Sequence, residues 1–301
     1  MRTDDLLEFY RRDNRATTVL NSLENEGGKV ELRNVVGSAL SLSVCGILER
    51  ELESGAKPRH HLFVLENKEA AAYFINDVEQ ILVKNPRPVF LFPRSARVPY
   101  QEEVLENANI GMRAQVLNEI NGGRDGCIIV SYPGAISELV VTKKKLSSQT
   151  FTLALGENYT LDFIDEVFME YGFEKVDFVY EPGQYAMRGG IVDVFSYSLD
   201  YPYRLEFFGE EIDSIRKFDP VSQLSVGKLT RATVVPNVGK KMLHESKESF
   251  FSFIPQDTVI WMHDVVSCEK GLGAELENAR AHYERLGGEL NHTPPEELYL
   301  D

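Results

Sequence analysis

Residues 180–225 read YEPGQYAMRGGIVDVFSYSLDYPYRLEFFGEEIDSIRKFDPVSQLS, and this stretch decides how the chain folds. Short runs rich in apolar residues at 190–195, 203–208 and 212–218 predict β-strands. Turn residues such as Pro182-Gly183 separate the apolar runs. The stretch therefore predicts a sheet built from strands that follow one another along the chain.

The residues before this stretch predict a helix and a further strand of the same domain. One helical face carries four apolar side chains, those of Leu161, Ile164, Val167 and Phe168, behind Thr160 as a helix cap. A strand is predicted over residues 173–180. We therefore expect residues 145–236 to form an α+β domain with an antiparallel sheet.

The flanking sequence predicts a different architecture. Apolar runs at 61–65, 89–92 and 127–131 alternate with helical patterns, which is typical of strand-helix-strand units around a parallel sheet. A short apolar strand at 258–262 continues this pattern after the insert. The predicted fold class is α/β, with a degenerate P-loop or helicase-like parallel-sheet domain interrupted by the α+β insert. The predicted boundaries are 1–144 for the first part of the α/β domain, 145–236 for the insert, and 237–301 for the second part.

Composition restricts the functions that the chain can have. The net charge is −15 over 301 residues, which disfavours autonomous DNA binding because such binding depends on Lys and Arg neutralising phosphates. The three cysteines are far apart and lie among apolar neighbours, so buried reduced thiols are expected and no metal site is predicted. No apolar run is long enough to span a bilayer, and the first residues do not resemble a secretory signal. We expect a cytoplasmic chain that does not bind membranes.

The quoted stretch resembles a known family of domains. A PG-x-[YF]-x-x-RG-x-[IVL]-x-D-[VIL]-F segment leads at a fixed separation to a [VY]R-[LIV]-[ED]-FF-x-[DE]-E-[IV]-[DE] segment. This arrangement is similar to the insert domain shared by UvrB and the transcription-repair coupling factors. Ser222-Gln223 favours the coupling factors, and weaker resemblance extends from about residue 30 to residue 270. The resemblance implies a UvrA-binding module that recruits excision repair to stalled RNA polymerase.

The resemblance also identifies three residues of the predicted UvrA-binding surface. By similarity to the coupling factors they are Arg188 of the YAMRGG block, and Arg204 and Phe208 of the YRLEFF block. On a strand, Arg204 and Phe208 point to one face while Leu205 and Phe207 point to the core. Truncating each of the three is expected to weaken UvrA binding without changing the melting temperature. The alternative is that both arginines only satisfy carboxylates such as Glu206 and Asp193, and that Phe208 only caps the sheet.

ATP chemistry is not expected in these 301 residues. Where UvrB carries the phosphate-binding loop GxxxxGK[ST], residues 34–41 read NVVGSALS, so Gly37-Ser38 remains and the lysine is missing. Asp264 follows the strand at 258–262 without the neighbouring glutamate of the second ATPase element. We predict no catalytic residue, no cofactor and no ATPase, with Gly37 in a tight strand-to-helix turn and Asp264 at the surface.

Two other functions are alternatives to a UvrA-docking module. A UvrB-type ATP-dependent DNA helicase or damage-binding fragment needs the missing lysine, and its aromatic DNA-binding hairpin is reduced here to Tyr100. A structural scaffold that only packs against the rest of its own polypeptide is the other alternative. For the intact family protein the resemblance implies that other domains bind ATP and magnesium, RNA polymerase and double-stranded DNA.

Overall fold

The computed structural model describes residues 3–24, 28–55, 57–95, 107–148, 150–197, 199, 201–236, 247–286 and 293–300. Its helices are α1 (Thr3–Arg11), α2 (Asn14–Leu23), α3 (Ala39–Glu53), α4 (Lys68–Ile81), α5 (Asn107–Asn121), α6 (Pro133–Ile136), α7 (Lys143–Ser148), α8 (Leu161–Glu170), α9 (Phe250–Phe253) and α10 (Val265–Arg285), with a 3₁₀ helix at Pro295–Glu297. Tyr100 of the predicted hairpin region lies outside the described residues.

The strands are β1 (His61–Val64), β2 (Val89–Leu91), β3 (Ile128–Ser131), β4 (Val140–Val141), β5 (Phe151–Ala154), β6 (Glu174–Lys175), β7 (Gln184–Arg188), β8 (Ile191–Val194), β9 (Tyr203–Phe208), β10 (Glu211–Phe218), β11 (Ser225–Leu229), β12 (Arg231–Val234), β13 (Lys247–Glu248) and β14 (Val259–Met262). The chain divides into two compact units. The first is formed by residues 1–91, 123–134 and 254–271, and the second by residues 92–122, 135–253 and 272–301.

The first unit is built on a four-stranded parallel sheet with the order β14-β1-β3-β2. His61 at the start of β1 lies opposite both Val259 of β14 and Ile128 of β3. Because β14 comes from the far end of the chain and still pairs with β1, the α/β domain is interrupted by an insert, as predicted. The predicted domain boundaries themselves stay a prediction.

The helices α1 and α2 were not predicted from the sequence, and α3 was predicted only as the helix that follows the turn at Gly37. In α3 the buried residues include the polar Ser41 and Glu51 beside Val44 and Leu48, so the simple polar-apolar period of an amphipathic helix is lost. Gly46 explains the close approach of α1, because a Cβ atom there would lie 3.0 Å from the backbone of Tyr10. All three cysteines are buried and free of disulfide bonds, as expected.

A buried polar cluster joins α3 to the parallel sheet. Glu51 accepts hydrogen bonds from Arg87 Nη1 at 3.0 Å and from Arg59 Nε at 3.2 Å, and it lies 3.1 Å from His61 Nε2. Trp261 Nε1 donates to His61 Nδ1 at 3.0 Å, so the neutral imidazole carries its proton on Nε2. Burial by itself raises the pKa of Glu51, but the hydrogen bonds from His61 and Arg87 and the positive charge of Arg87 outweigh it and lower the pKa to about 2. Burial lowers the pKa of His61.

The second unit contains a six-stranded sheet with the order β11-β10-β9-β8-β7-β6. The predicted antiparallel pairing is confirmed for four of the five strand pairs and is wrong for the edge strand β6, which runs parallel to β7. Helix α8 packs on one face through Ile164 and Phe168, and Thr160 caps it by accepting a hydrogen bond from Phe163 N at 3.2 Å, as predicted. Ile110 of α5 joins the same core.

The strand predicted over residues 173–180 is present only at Glu174–Lys175. After β6 the chain leaves the sheet edge, and Val179 packs with Ala186 and Phe195 in a small apolar cluster. Ala186 and Phe195 lie on the face of the sheet opposite to α8, since their strand neighbours Tyr185 and Val194 belong to the main core. Burial of apolar surface against this second face explains why the strand ends early.

Candidate functional site

A tight hairpin joins β7 to β8 and positions Arg188. The loop consists only of Gly189 and Gly190, and Gly189 has φ +57°, a conformation that favours glycine. A Cβ atom at Gly190 would lie 2.8 Å from the carbonyl oxygen of Phe207 on β9. Both glycines of the RGG block are therefore needed to bring Arg188, at the end of β7, beside the middle of the sheet.

The centre of the face opposite to α8 is a buried carboxylate. Asp193 on β8 is 1% exposed and lies directly opposite Arg204 on β9. Arg204 donates to Asp193 through Nε at 2.6 Å and through Nη2 at 2.7 Å, which is a bidentate pair. Arg188 Nη2 donates to the same carboxylate. The hydrogen bonds to Asp193 raise the pKa of Arg204. We call this face of the sheet, defined by Arg188, Asp193, Arg204 and their strand neighbours on the same side, the outer face.

Arg188 and Arg204 each also contact a neighbouring segment of the chain. The Arg204 guanidinium lies 4.2 Å from the ring centre of Phe218 and donates through Nη2 to Gln223 Oε1 at 2.8 Å. The Arg188 guanidinium lies 4.8 Å from the ring centre of Phe178 and donates to a backbone carbonyl oxygen of the same segment. These contacts fix both guanidinium groups, so a partner meets preorganised cations instead of flexible side chains.

Phe208 lies at the end of β9 and is 84% exposed. Leu205 is fully buried and Phe207 packs against the core, so the predicted division of β9 into two faces is confirmed. Gly209, with φ +67°, begins the turn into β10 directly after Phe208. A large exposed aromatic ring at a hairpin end is typical of an anchor residue in a protein interface.

The structure brings all three predicted residues to the second unit's sheet, but the two arginines have a stabilising role that was counted only as an alternative. Both satisfy Asp193, whereas Glu206 instead accepts hydrogen bonds from Arg216 and Ser214. The expectation that truncation of Arg204 leaves the melting temperature unchanged is therefore not supported. One signal for Asp193 was available in the sequence, because an acid within the apolar run IVDVF must be paired when it is buried.

The residues of the degenerate nucleotide loop take simple structural roles. Gly37 has φ +59° in the turn before α3, but residues 28–36 form no strand, so the predicted strand-to-helix turn is wrong in its first half. Ser38 precedes α3 without a side-chain capping hydrogen bond. Asp264 accepts hydrogen bonds from Ser267 Oγ at 2.9 Å, Ser267 N at 3.2 Å and Val266 N at 3.0 Å, and these lower its pKa, with the largest effect coming from the Ser267 hydroxyl.

Packing at the carboxyl ends of the parallel strands also bears on nucleotide binding. In open α/β folds ligands bind in the crevice at this edge. Pro133 follows β3 there, and a Cβ atom at Gly271 of α10 would lie 2.9 Å from the Pro133 side chain.

Within the described residues there is no group of three His, Cys, Asp or Glu side chains arranged to hold a metal ion. None of the described helices is long and apolar enough to cross a membrane.

Comparison with known proteins connects this geometry to a family. Residues 151–239 match the model of the UvrB interaction domain. The segment is similar to the UvrB interaction domain, and this name is used below for residues 151–239. The UvrB interaction domain contains Arg188, Arg204 and Phe208 together with Asp193, whereas Gly37, Ser38 and Asp264 lie outside it.

Relatives that match longer ranges of the chain also point to the UvrB and coupling-factor families. The chain is 26% identical over 234 residues to the transcription-repair-coupling factor of Bacillus subtilis, covering 77% of this chain and 19% of the relative. It is 30% identical over 148 residues to the transcription-repair-coupling factor of Myxococcus xanthus, covering 49% and 12%. It is 24% identical over 216 residues to UvrABC system protein B of Thermosipho africanus, covering 68% and 32%. The resemblance to the UvrB-like module of coupling factors is confirmed, and the chain spans about a fifth of the length of the first relative.

Proposed function

We propose that the chain is the UvrA-binding module of a transcription-repair coupling factor and that it acts in the cytoplasm. The observation that carries the proposal is the outer face of the UvrB interaction domain, where Asp193 holds two arginines in fixed positions on the sheet whose β9 presents the exposed ring of Phe208. Fixed cations and an exposed aromatic ring are the side chains that most often dominate the energy of protein interfaces.

The module docks and does not catalyse. It has no ATPase and holds no cofactor, because a phosphate-binding loop depends on the charge of a lysine that residues 34–41 lack. In the longer protein, ATP and magnesium, RNA polymerase and double-stranded DNA are bound by other domains. UvrA captured by the module is thereby recruited to RNA polymerase stalled at damage.

Binding of purified UvrA to the whole chain tests the proposal. Phe208→Ala should weaken the complex at least about thirtyfold, the effect of an interface anchor worth about 2 kcal/mol. Its melting temperature should stay close to that of the parent chain, since the ring is 84% exposed. The matched control is Phe9→Ala, which removes another ring that is 71% exposed and lies outside the UvrB interaction domain. Equal affinities of all three chains for UvrA would reject the docking surface.

The similarity to UvrABC system protein B favours one alternative, a UvrB-type ATP-dependent DNA helicase or damage-binding fragment. Calorimetric titration of the chain with ATP and magnesium separates the two functions. We expect no heat of binding. Micromolar affinity for ATP, or hydrolysis that copurifies with the chain, would favour the alternative.

A further inference from the structure

The outer face carries a row of cations that crosses three neighbouring strands. Arg216 on β10 lies directly opposite Arg204 on β9, and it also lies directly opposite Lys228 on the edge strand β11. Residues directly opposite each other in an antiparallel pair share one face of the sheet. Arg204, Arg216 and Lys228 therefore form one continuous row across the outer face, which we call the cation row.

The cation row contrasts with the charge of its surroundings. Residues 151–219 contain fifteen acidic residues and five basic ones, and three of the five are Arg188, Arg204 and Arg216 of the outer face. Like charges directly opposite each other destabilise a sheet unless they are compensated. A sequence that places two of these five cations beside Lys228 in one row needs a reason other than the stability of the sheet.

The pairing of these cations with acidic side chains of the same chain decreases along the cation row. Arg204 is paired with the buried Asp193, and its side chain is 14% exposed. Arg216 is paired with Glu206, and both side chains are about one third exposed. Lys228 is exposed, and its ammonium group has no ion pair or hydrogen bond among the residues that the structure describes. The positive charge of the row is therefore most available at its edge-strand end.

We propose that the cation row binds an acidic strip on UvrA, with Lys228 and Arg216 extending the docking surface beyond Arg188, Arg204 and Phe208. This inference rests on the proposed function. Lys228 contributes its whole charge to the partner, and Arg216 shares its guanidinium between Glu206 and the partner. Charges at the rim of an interface act mainly on the rate of association and on its salt dependence.

The test compares two charge reversals on neighbouring strands. Lys228→Glu alters the outer face, whereas Lys217→Glu makes the same change in net charge on β10 at a position opposite the buried Tyr203, on the other side of the sheet. Association of each whole chain with UvrA is measured at about 0.1 M and about 1 M salt, where the Debye length falls from about 10 Å to about 3 Å. Lys228→Glu should slow association about tenfold at the lower salt and little at the higher. Lys217→Glu should leave the rate within about twofold, since it lies away from the partner.

Each outcome decides the proposal. Lys228→Gln, which removes the charge without reversing it, should give an intermediate rate and provides a second variant if the glutamate disturbs the fold. Equal slowing by the two charge reversals would show an effect of net charge alone and would overturn the proposal, as would an unchanged rate in Lys228→Glu and Lys228→Gln. If the parent chain binds UvrA and Phe208→Ala weakens the complex, but the Lys228 variants do not slow association, only this inference fails. If the parent chain does not bind UvrA, the proposed function and the inference fail together.

Discussion

Asp193 and Arg204 face each other across β8 and β9 and form a two-point ion pair, with the carboxylate 1% exposed. Removing one partner of a buried ion pair leaves the other charge uncompensated, which costs about 3–5 kcal/mol. Asp193→Asn leaves both Arg204 and Arg188 without their carboxylate. We therefore expect Asp193→Asn to lower the free energy of unfolding by about 3 kcal/mol or more, measured by urea denaturation followed by circular dichroism.

The control for this prediction is Asp213→Asn. Asp213 is an exposed acid on the neighbouring strand β10, so the same substitution there should change the free energy of unfolding by no more than about 0.5 kcal/mol. Similar stabilities of Asp193→Asn and Asp213→Asn would show that the buried pair contributes little.

The two arginines that share Asp193 should differ in their effect on stability. Arg204 makes two hydrogen bonds to Asp193 and one to Gln223, and its side chain is 14% exposed. The Arg188 side chain is 34% exposed, and its loss leaves the bidentate pair in place. Arg204→Ala should therefore cost about 3 kcal/mol, and Arg188→Ala about 1 kcal/mol. The reverse order in urea denaturation would contradict this assignment, and the expected order makes Arg188 and Phe208 the cleaner positions for measuring UvrA affinity.

Sequence patterns predicted those parts of the fold that contain a continuous apolar run or one apolar face. The strands β1 and β3 follow from apolar runs and are buried along their whole length, whereas β9 and the helix α8 have one apolar face. These elements and β8 are present with boundaries within one or two residues of the prediction. The edge strand β11 was not predicted, because four of its five residues are exposed and no apolar face marks them. Pairing with β10 forms this strand, and a single-sequence pattern does not contain that information.

The sequence predicted which residues form the candidate site, but it did not predict the contacts between their side chains. Alternation along β9 separates Phe208 from the core, and this required only the sequence. The bidentate pair between Asp193 and Arg204 depends on the register of two strands, and the contact with Gln223 depends on a loop in which Gln223 itself has φ +61°. Contacts between side chains that are far apart in the chain follow from the fold and not from local patterns.

The RGG hairpin gives a third prediction. A Cβ atom at Gly190 would lie 2.8 Å from a backbone oxygen of Phe207, and backbone atoms of a central strand have little freedom to move away. Gly190→Ala should therefore destabilise the second unit by about 1–3 kcal/mol in thermal melting. Gly227→Ala is the control, because a Cβ atom there meets no atom within 4 Å and it should leave stability nearly unchanged. Equal stability of Gly190→Ala and Gly227→Ala would show that the hairpin adjusts easily.

Acid stability of the first unit depends on the cluster around Glu51. The pKa of Glu51 is lowered from its usual 4.5 to about 2, so as the pH falls the unfolded state takes up this proton first. The stabilisation is complete above about pH 4.5 and is lost as the pH falls towards about 2, and a difference of about 2.5 in pKa corresponds to roughly 3 kcal/mol. The pKa of His61 is also lowered, so the unfolded histidine takes up a proton first and stability already decreases below about pH 6.5.

Trp261 makes this loss measurable. It is the single tryptophan of the chain, and its indole donates to His61 inside the cluster, so its fluorescence should report on opening of the first unit. Urea denaturation followed by Trp261 emission should give a free energy of unfolding that falls by at least about 2 kcal/mol between about pH 6 and about pH 3, since Glu51 alone accounts for about that much and His61 adds to it. Glu51→Gln should be less stable than the parent chain at neutral pH, because it leaves the buried Arg87 without its carboxylate, and its stability should depend less on pH. A parent chain and a Glu51→Gln variant with the same slope below about pH 5 would show that Glu51 does not control acid stability.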